Sequence, residues 1–260
     1  MPTIQINGVA VDITQTGAGR DLVLLHSLLA DRSAFDRVVP ALAKQHRVTL
    51  VNLPGYGASA PHGASVEDYA DHIVALLREL NLPRETDVLG NGLGGFIAIA
   101  LACRHGAAFG KLFIADSLAT FPPAGKEPLR LMAERVKHQG MSAVLDAAIN
   151  RMFPPEFVAA NAELVAERKA VLGKADPACF TRACLALSEV DLTPLLAGIR
   201  NPAFVMVGAL DGATPAPLAR ELANGIPGAG FMELPGCGHC PQLEQPEVFV
   251  RAVEEFLLRP

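Results

Sequence analysis

Leu89-Gly90-Asn91-Gly92-Leu93-Gly94-Gly95 stands between a short strand-like segment, Thr86–Gly90, and a small-residue segment with helical character, Gly95–His105. A glycine-rich turn from strand into helix is the setting of the nucleophile elbow, G-x-S-x-G. There a serine sits on a sharp, strained turn, and small neighbours let strand and helix approach closely. In this chain the flanking glycines are present, but residue 92, where the serine would stand, is also glycine. Elbow backbone strains a side-chain-bearing residue by about 1–3 kcal/mol, a strain glycine escapes. Gly92 therefore suits the turn and brings no nucleophile. The same glycines admit a dinucleotide-loop reading, but that loop needs an acidic residue about twenty positions on. Lys111–Ala115 there reads as a strand instead.

Outward from the turn, the chain alternates strand and helix. Asn7-Gly8 between Thr3–Ile6 and Val9–Thr14 predicts a hairpin, because both turn residues tolerate positive φ. Leu22–Leu25 and Val48–Val51 are apolar on both faces, as strands of a helix-covered parallel sheet must be, and Phe35, Val38, Val39 and Leu42 between them have helical spacing. Ser65 caps a predicted helix over Val66–Leu80 that ends before Pro83. From Thr120 to Ile199 strand texture disappears and helical patches take over, including Phe157–Val171 and Phe180–Val190. Strands return at Ala203–Val207 and Gly230–Leu234, and a last helix runs from Pro246 to Leu258. The expected division is a core of 1–119 and 199–260 with a helical insertion over 120–198.

Three further segments carry chemistry. Leu25-His26-Ser27-Leu28 follows a buried strand, where a backbone N–H can join that of Leu93, the residue after the elbow position, in an oxyanion hole. Asp211 follows a late strand in Val207-Gly208-Ala209-Leu210-Asp211-Gly212. His239 follows the last strand in Gly236-Cys237-Gly238-His239. Position 92, Asp211 and His239 fall in the chain order nucleophile, acid, histidine.

With these segments the chain resembles the α/β-hydrolase family over essentially its whole length, and more narrowly the 3-oxoadipate enol-lactonases and related cofactor-free hydrolases. The resemblance also rests on Asn52-Leu53-Pro54-Gly55-Tyr56-Gly57-Ala58-Ser59 and on Thr214-Pro215. It implies an α/β fold with a mostly parallel eight-stranded sheet, a helical cap before the strand that carries the acid, and ester or lactone hydrolysis without a cofactor. His239 would be the base, Asp211 would hold its tautomer, and the N–H groups of Leu28 and Leu93 would bind the oxyanion. Asp116 is a rival acid read as a supporting group. His26 is expected to brace its loop. Ser27 is expected to position backbone or substrate, its use as a replacement nucleophile being the less favoured alternative.

Two accounts of Gly92 stand side by side. In one the chain is a serine hydrolase whose nucleophile has been substituted. In the other the sequence naturally lacks serine, and the His239–Asp211 pair acts on water or substrate, as in cofactor-free lyases, oxygenases or carbon–carbon bond hydrolases. A pseudo-enzyme that only binds a small ligand is the third possibility.

Composition narrows the partners. Half of the 260 residues are apolar and the net charge is −5, so no electrostatic excess favours nucleic acid or an anionic membrane. The apolar runs fall short of the ~18–20 residues a bilayer requires. Five scattered cysteines and no export-like start suggest reduced thiols in a cytoplasm. The Cys237-x-x-Cys240 spacing would consume His239 if it held metal, so no metal is expected. A segment 120–198 rich in Leu, Met and Phe points to a partly apolar small-molecule substrate, with Arg130, Arg135, Arg151, Arg168 and Arg182 as possible clamps for a carboxylate.

Overall fold

A computed structural model describes residues 3–258. Strands β1 (Thr3–Ile6), β2 (Val9–Thr16), β3 (Arg20–Leu25), β4 (His46–Val51), β5 (Asp87–Asn91), β6 (Leu112–Ala115), β7 (Ala203–Gly208) and β8 (Gly230–Leu234) form one eight-stranded sheet. Its order is β1-β2-β4-β3-β5-β6-β7-β8. β1 and β2 pair antiparallel, as do β2 and β4, and every later pairing is parallel. The opening hairpin turns on Asn7 (φ 51°) and Gly8 (φ 81°), both in the left-handed region that such a turn requires.

The inner parallel strands β3 to β7 are largely buried on both faces, and their side chains alternate between two apolar layers. Val23 and Leu25 join the larger layer with helices α2 (Val66–Glu79) and α3 (Leu93–His105), while Leu22 and Leu24 pack with Phe35, Leu42 and Phe249 on the other side. On that second face Phe113 stacks on Phe204 at 5.4 Å and meets Phe249 edge-on at 5.9 Å. Ser65 caps α2 reciprocally with Asp68. The helical spacing between β3 and β4 resolves into a 3₁₀ turn, Arg32–Phe35, and a separate short α1, Val39–Leu42. Pro40 explains the break, since it lacks an N–H and is accommodated only in a first turn.

Between β6 and β7 the chain is helical: α4 (Pro123–Gln139), α5 (Leu145–Met152), α6 (Pro155–Ala160), α7 (Ala162–Leu172) and α8 (Pro177–Glu189). The periodicity over Phe157–Val171 covers two of these helices, parted at Asn161, whose backbone (φ −129°, ψ 48°) is not helical. An isolated antiparallel bridge, Thr120 to Asp191, clips the two ends of this segment together, and the Leu192 N–H donates to the Ala119 carbonyl at 3.0 Å. Helices α9 (Ala216–Gly225), α10 (Pro241–Glu244) and α11 (Pro246–Leu257) complete the chain. The short α10, invisible to periodicity, starts with a proline directly after His239-Cys240. Among the described residues no helix is long and apolar enough to cross a membrane.

Candidate active site

Gly92 sits at the end of β5 with φ 55° and ψ −119°, the strained turn expected of an elbow, and its carbonyl starts α3 by accepting from the Phe96 N–H at 3.1 Å. Close approach accounts for Gly94: a Cβ there would lie 2.1 Å from the Leu25 carbonyl oxygen, so only glycine lets the helix start lie against β3. The Leu93 N–H is the first of the helix and has no carbonyl one turn back to bond. Among the described residues neither it nor the Leu28 N–H has a hydrogen-bond acceptor.

The loop after β3 is fastened by His26. Its Nε2 accepts from the Leu53 N–H at 2.9 Å, so the ring proton resides on Nδ1, which donates to the Ser27 carbonyl at 2.8 Å. The same carbonyl accepts from the Ala30 N–H at 3.2 Å, and the Tyr56 hydroxyl donates to the Leu28 carbonyl. Burial lowers the His26 pKa to about 4, the bond to Ser27 and the Asp31 charge opposing it, so the ring is neutral in the fold.

Asp211 and His239 meet. His239 Nδ1 lies 2.8 Å from Asp211 Oδ2, and both side chains are almost wholly buried. Asp211 Oδ1 accepts from the amides of Ala213 (2.7 Å) and Thr214 (3.1 Å), and the Thr214 hydroxyl donates to Oδ2. Burial works to raise the Asp211 pKa, but the His239 charge and these hydrogen bonds outweigh it and bring it down to about 2. Asp211 thus spends Oδ1 on a local turn and leaves Oδ2 for the histidine. With Asp211 ionised, Nδ1 carries the imidazole proton and Nε2 is an acceptor.

Several supports had no sequence signature. Asn91 Nδ2 donates to the His239 carbonyl at 3.1 Å and is itself steadied by Gln242, whose Nε2 donates to Asn91 Oδ1 at 3.0 Å. Glu244 accepts from the Gly238 (2.8 Å) and Cys240 (3.0 Å) amides, and the His239 N–H donates to the Met152 carbonyl at the end of α5 at 2.9 Å. Asp116 lies behind the pair, in a left-handed backbone conformation (φ 48°), with Oδ1 accepting from the Gly208 N–H at 2.8 Å. Burial first, and then the Asp211 charge, push its carboxyl well above the usual range, the opposite direction from Asp211. Ligand-type atoms of Asp116, Asp211 and His239 all lie within 4.8 Å of one another, but the His239 and Asp211 atoms are already bonded to each other. Cys237 and Cys240 are fully buried, and burial pushes both thiols up, so neither is ready to act as a thiolate.

Ser27 faces the histidine. Its Oγ lies 3.3 Å from His239 Nε2, and a Cβ built on Gly92 would stand only 2.4 Å from that Oγ and 2.9 Å from Nε2. The serine hydroxyl therefore occupies the space a residue-92 side chain would enter. Ser27, Leu28, Gly92, Leu93 and His239 line a cavity of about 30 Å³, walled on its other sides mainly by apolar residues such as Phe121, Leu129 and Leu187. That is room for one or two waters or a reacting carbonyl group. Met132 and Arg151 line this cavity and also an outer groove of about 460 Å³ with Arg135 and Leu131. Of the other arginines named above, Arg168 is held by Ser33 and Glu167, Arg182 donates to Cys179 Sγ, and Arg130 is exposed. Among the described residues no group accepts a hydrogen bond from the half-buried Arg151 guanidinium. Burial lowers its pKa, with the Asp211 charge acting against the shift.

A family model described as the alpha/beta hydrolase family matches residues 22–252. A pimeloyl-[acyl-carrier protein] methyl ester esterase of Vibrio cholerae serotype O1 is 31% identical over 94% of this chain and 96% of its own. A 3-oxoadipate enol-lactonase of Acinetobacter baylyi is 27% identical over 92% of this chain and 88% of its own. The crystal structure of the enol-lactonase from Burkholderia xenovorans LB400 superposes with a TM-score of 0.93 at 28% identity, covering 99% of this chain and 100% of that one.

Proposed function

The chain belongs to the alpha/beta hydrolase family, and from that premise we propose that it hydrolyses a carboxylic ester or lactone with His239 as general base and Asp211 as the group that fixes its tautomer and orientation. The observation that carries this reading is the 2.8 Å contact between Asp211 Oδ2 and His239 Nδ1, which leaves Nε2 facing the cavity as a proton acceptor. The free N–H groups of Leu28 and Leu93 would receive the oxyanion that develops when the carbonyl is attacked. Helices α4–α8 act as the cap: α4 and α5 supply Met132 and Arg151, which line both the cavity and the outer groove.

The substrate is a small acid derivative with an apolar part and a free carboxylate. Apolar lining supports the first property, and an Arg151 side chain with no carboxylate of its own supports the second. A relative named for 3-oxoadipate enol-lactone is consistent with such a compound, while the pimeloyl methyl ester esterases, whose named substrate has no free carboxylate, support ester hydrolysis alone. The missing side chain at 92 favours one competing reading, proton abstraction from substrate with no covalent intermediate. Incubation with 4-nitrophenyl monoesters of dicarboxylic acids and with five-membered lactones, following acid release by pH-stat, separates the two. Acid release supports hydrolysis. Solvent deuterium entering the substrate without acid release supports proton abstraction and contradicts hydrolysis.

A further inference from the structure

Resting on the reading of His239 as base, we propose that the nucleophile of this chain is the Oγ of Ser27. Four observations converge on it. Ser27 Oγ lies 3.3 Å from His239 Nε2, a looser contact than a mature hydrogen bond but one that commonly tightens when substrate binds. Asp211 keeps the proton on Nδ1, so the hydroxyl donates to Nε2, the direction in which a base must draw the proton. Among the described residues two hydroxyl side chains, Ser27 and Thr214, line the cavity, and that of Thr214 is spent on Asp211. The residue after Ser27 is Leu28, whose N–H is free, so the nucleophile and one oxyanion donor are adjacent in sequence, as they are at an elbow.

Gly92 is then part of the same device. A Cβ at 92 would come within 2.4 Å of Ser27 Oγ and 2.9 Å of Ser27 Cβ, so the absence of a side chain there is the condition for Ser27 to face the histidine. The Ser27 backbone is held by two hydrogen bonds to its carbonyl, from His26 Nδ1 and the Ala30 N–H, which limits how far the side chain can wander. The serine is 1% exposed, reachable only through the cavity.

The steps balance without any further reagent. As Ser27 Oγ forms a bond to the carbonyl carbon, its proton passes to His239 Nε2, and the carbonyl electron pair moves onto the oxygen held by the Leu28 and Leu93 N–H groups. Collapse of this intermediate breaks the bond to the alkoxy group, which takes the proton from Nε2 and departs as an alcohol. Water then attacks the acyl-Ser27 ester with His239 again accepting a proton. The second collapse releases the carboxylic acid and returns the proton to Ser27 Oγ.

The test uses the full chain, 4-nitrophenyl butyrate and a fluorophosphonate. Acid quenching during turnover, digestion and mass mapping should find the butyryl group, and separately the phosphonyl group, on the peptide containing Ser27. Ser27→Ala should lose labelling and at least ~10³-fold in kcat, with Tm unchanged within a few degrees. Ser27→Cys guards against a folding artefact, since it should restore a trappable acyl adduct at residue 27. If Ser27→Ala keeps turnover within a few-fold while His239→Ala abolishes it, water is the attacking group. The Ser27 assignment is then overturned while the base reading stands. If neither substitution matters, or the unaltered chain shows neither turnover nor labelling, both are overturned.

Discussion

Ser27 Oγ and a side chain on residue 92 compete for one place: a Cβ on Gly92 would lie 2.4 Å from that oxygen. Gly92→Ala should therefore displace Ser27 from His239 and add the strain of φ 55°, lowering stability by about 1–3 kcal/mol and turnover by at least ~10²-fold. Urea unfolding and ester kinetics on the same preparation measure both.

Placing a serine at the elbow is correspondingly not a one-residue change. Gly92→Ser alone should give a smaller gain than an empty position would suggest, because the new side chain meets Ser27 Oγ and Cβ. Gly92→Ser combined with Ser27→Gly should exceed the single variant by roughly tenfold or more in kcat/KM, a non-additivity expected of residues in contact. Equal activity of the two variants would show that the crowding relaxes freely.

Asp211→Asn should lower kcat by a factor on the order of 10³–10⁴ with little change in fold. The amide can keep the contacts to the Ala213 and Thr214 N–H groups through its oxygen, but its NH₂ would face His239 Nδ1 and force the proton to Nε2. Retained activity would mean that the tautomer is set by another group.

Arg151→Met keeps apolar packing while removing the guanidinium that faces both cavity and groove. For a monoester bearing a free carboxylate, KM should rise about 10–100-fold, and for a neutral ester of similar size it should hardly move. Equal changes for both would assign Arg151 to packing alone.

Much of this was legible before any coordinates. The run Leu89–Gly95 specifies the elbow because strained φ and close packing both demand glycine, and Asp211 and His239 follow late strands with clear apolar signatures. What was hidden depends on contacts between distant segments. Ser27 and His239 are 212 residues apart, and nothing in Leu25-His26-Ser27-Leu28 says which way the serine turns. Asn91 and Gln242, separated by 151 positions, hold the histidine loop through amide groups that have no periodicity to betray them. Helix breaks at Pro40 and Asn161 were blurred because apolar spacing continues across them.

Stability should fall on mild acidification through His26. The folded ring has its pKa lowered to about 4 by burial, against 6.5 for the free side chain, so between these values the unfolded chain binds a proton that the fold refuses. The contribution is complete above about pH 6.5 and is lost as pH falls to about 4, amounting to roughly 3 kcal/mol. His72, also lowered to about 4 by burial, acts over the same window. Urea midpoints from pH 7 to 4 should therefore slope less in His26→Gln and in His72→Gln than in the unaltered chain. Asp211 adds a separate loss only between about pH 4 and pH 2.

The most direct measurement of the central claim is steady-state hydrolysis of 4-nitrophenyl butyrate at pH 8 by the unaltered chain and by His239→Ala, both checked for native Tm. The expected result is turnover well above buffer in the first and a fall of at least ~10³-fold in the second. Equal rates in the two proteins would contradict a hydrolase in which the Asp211–His239 pair is the base.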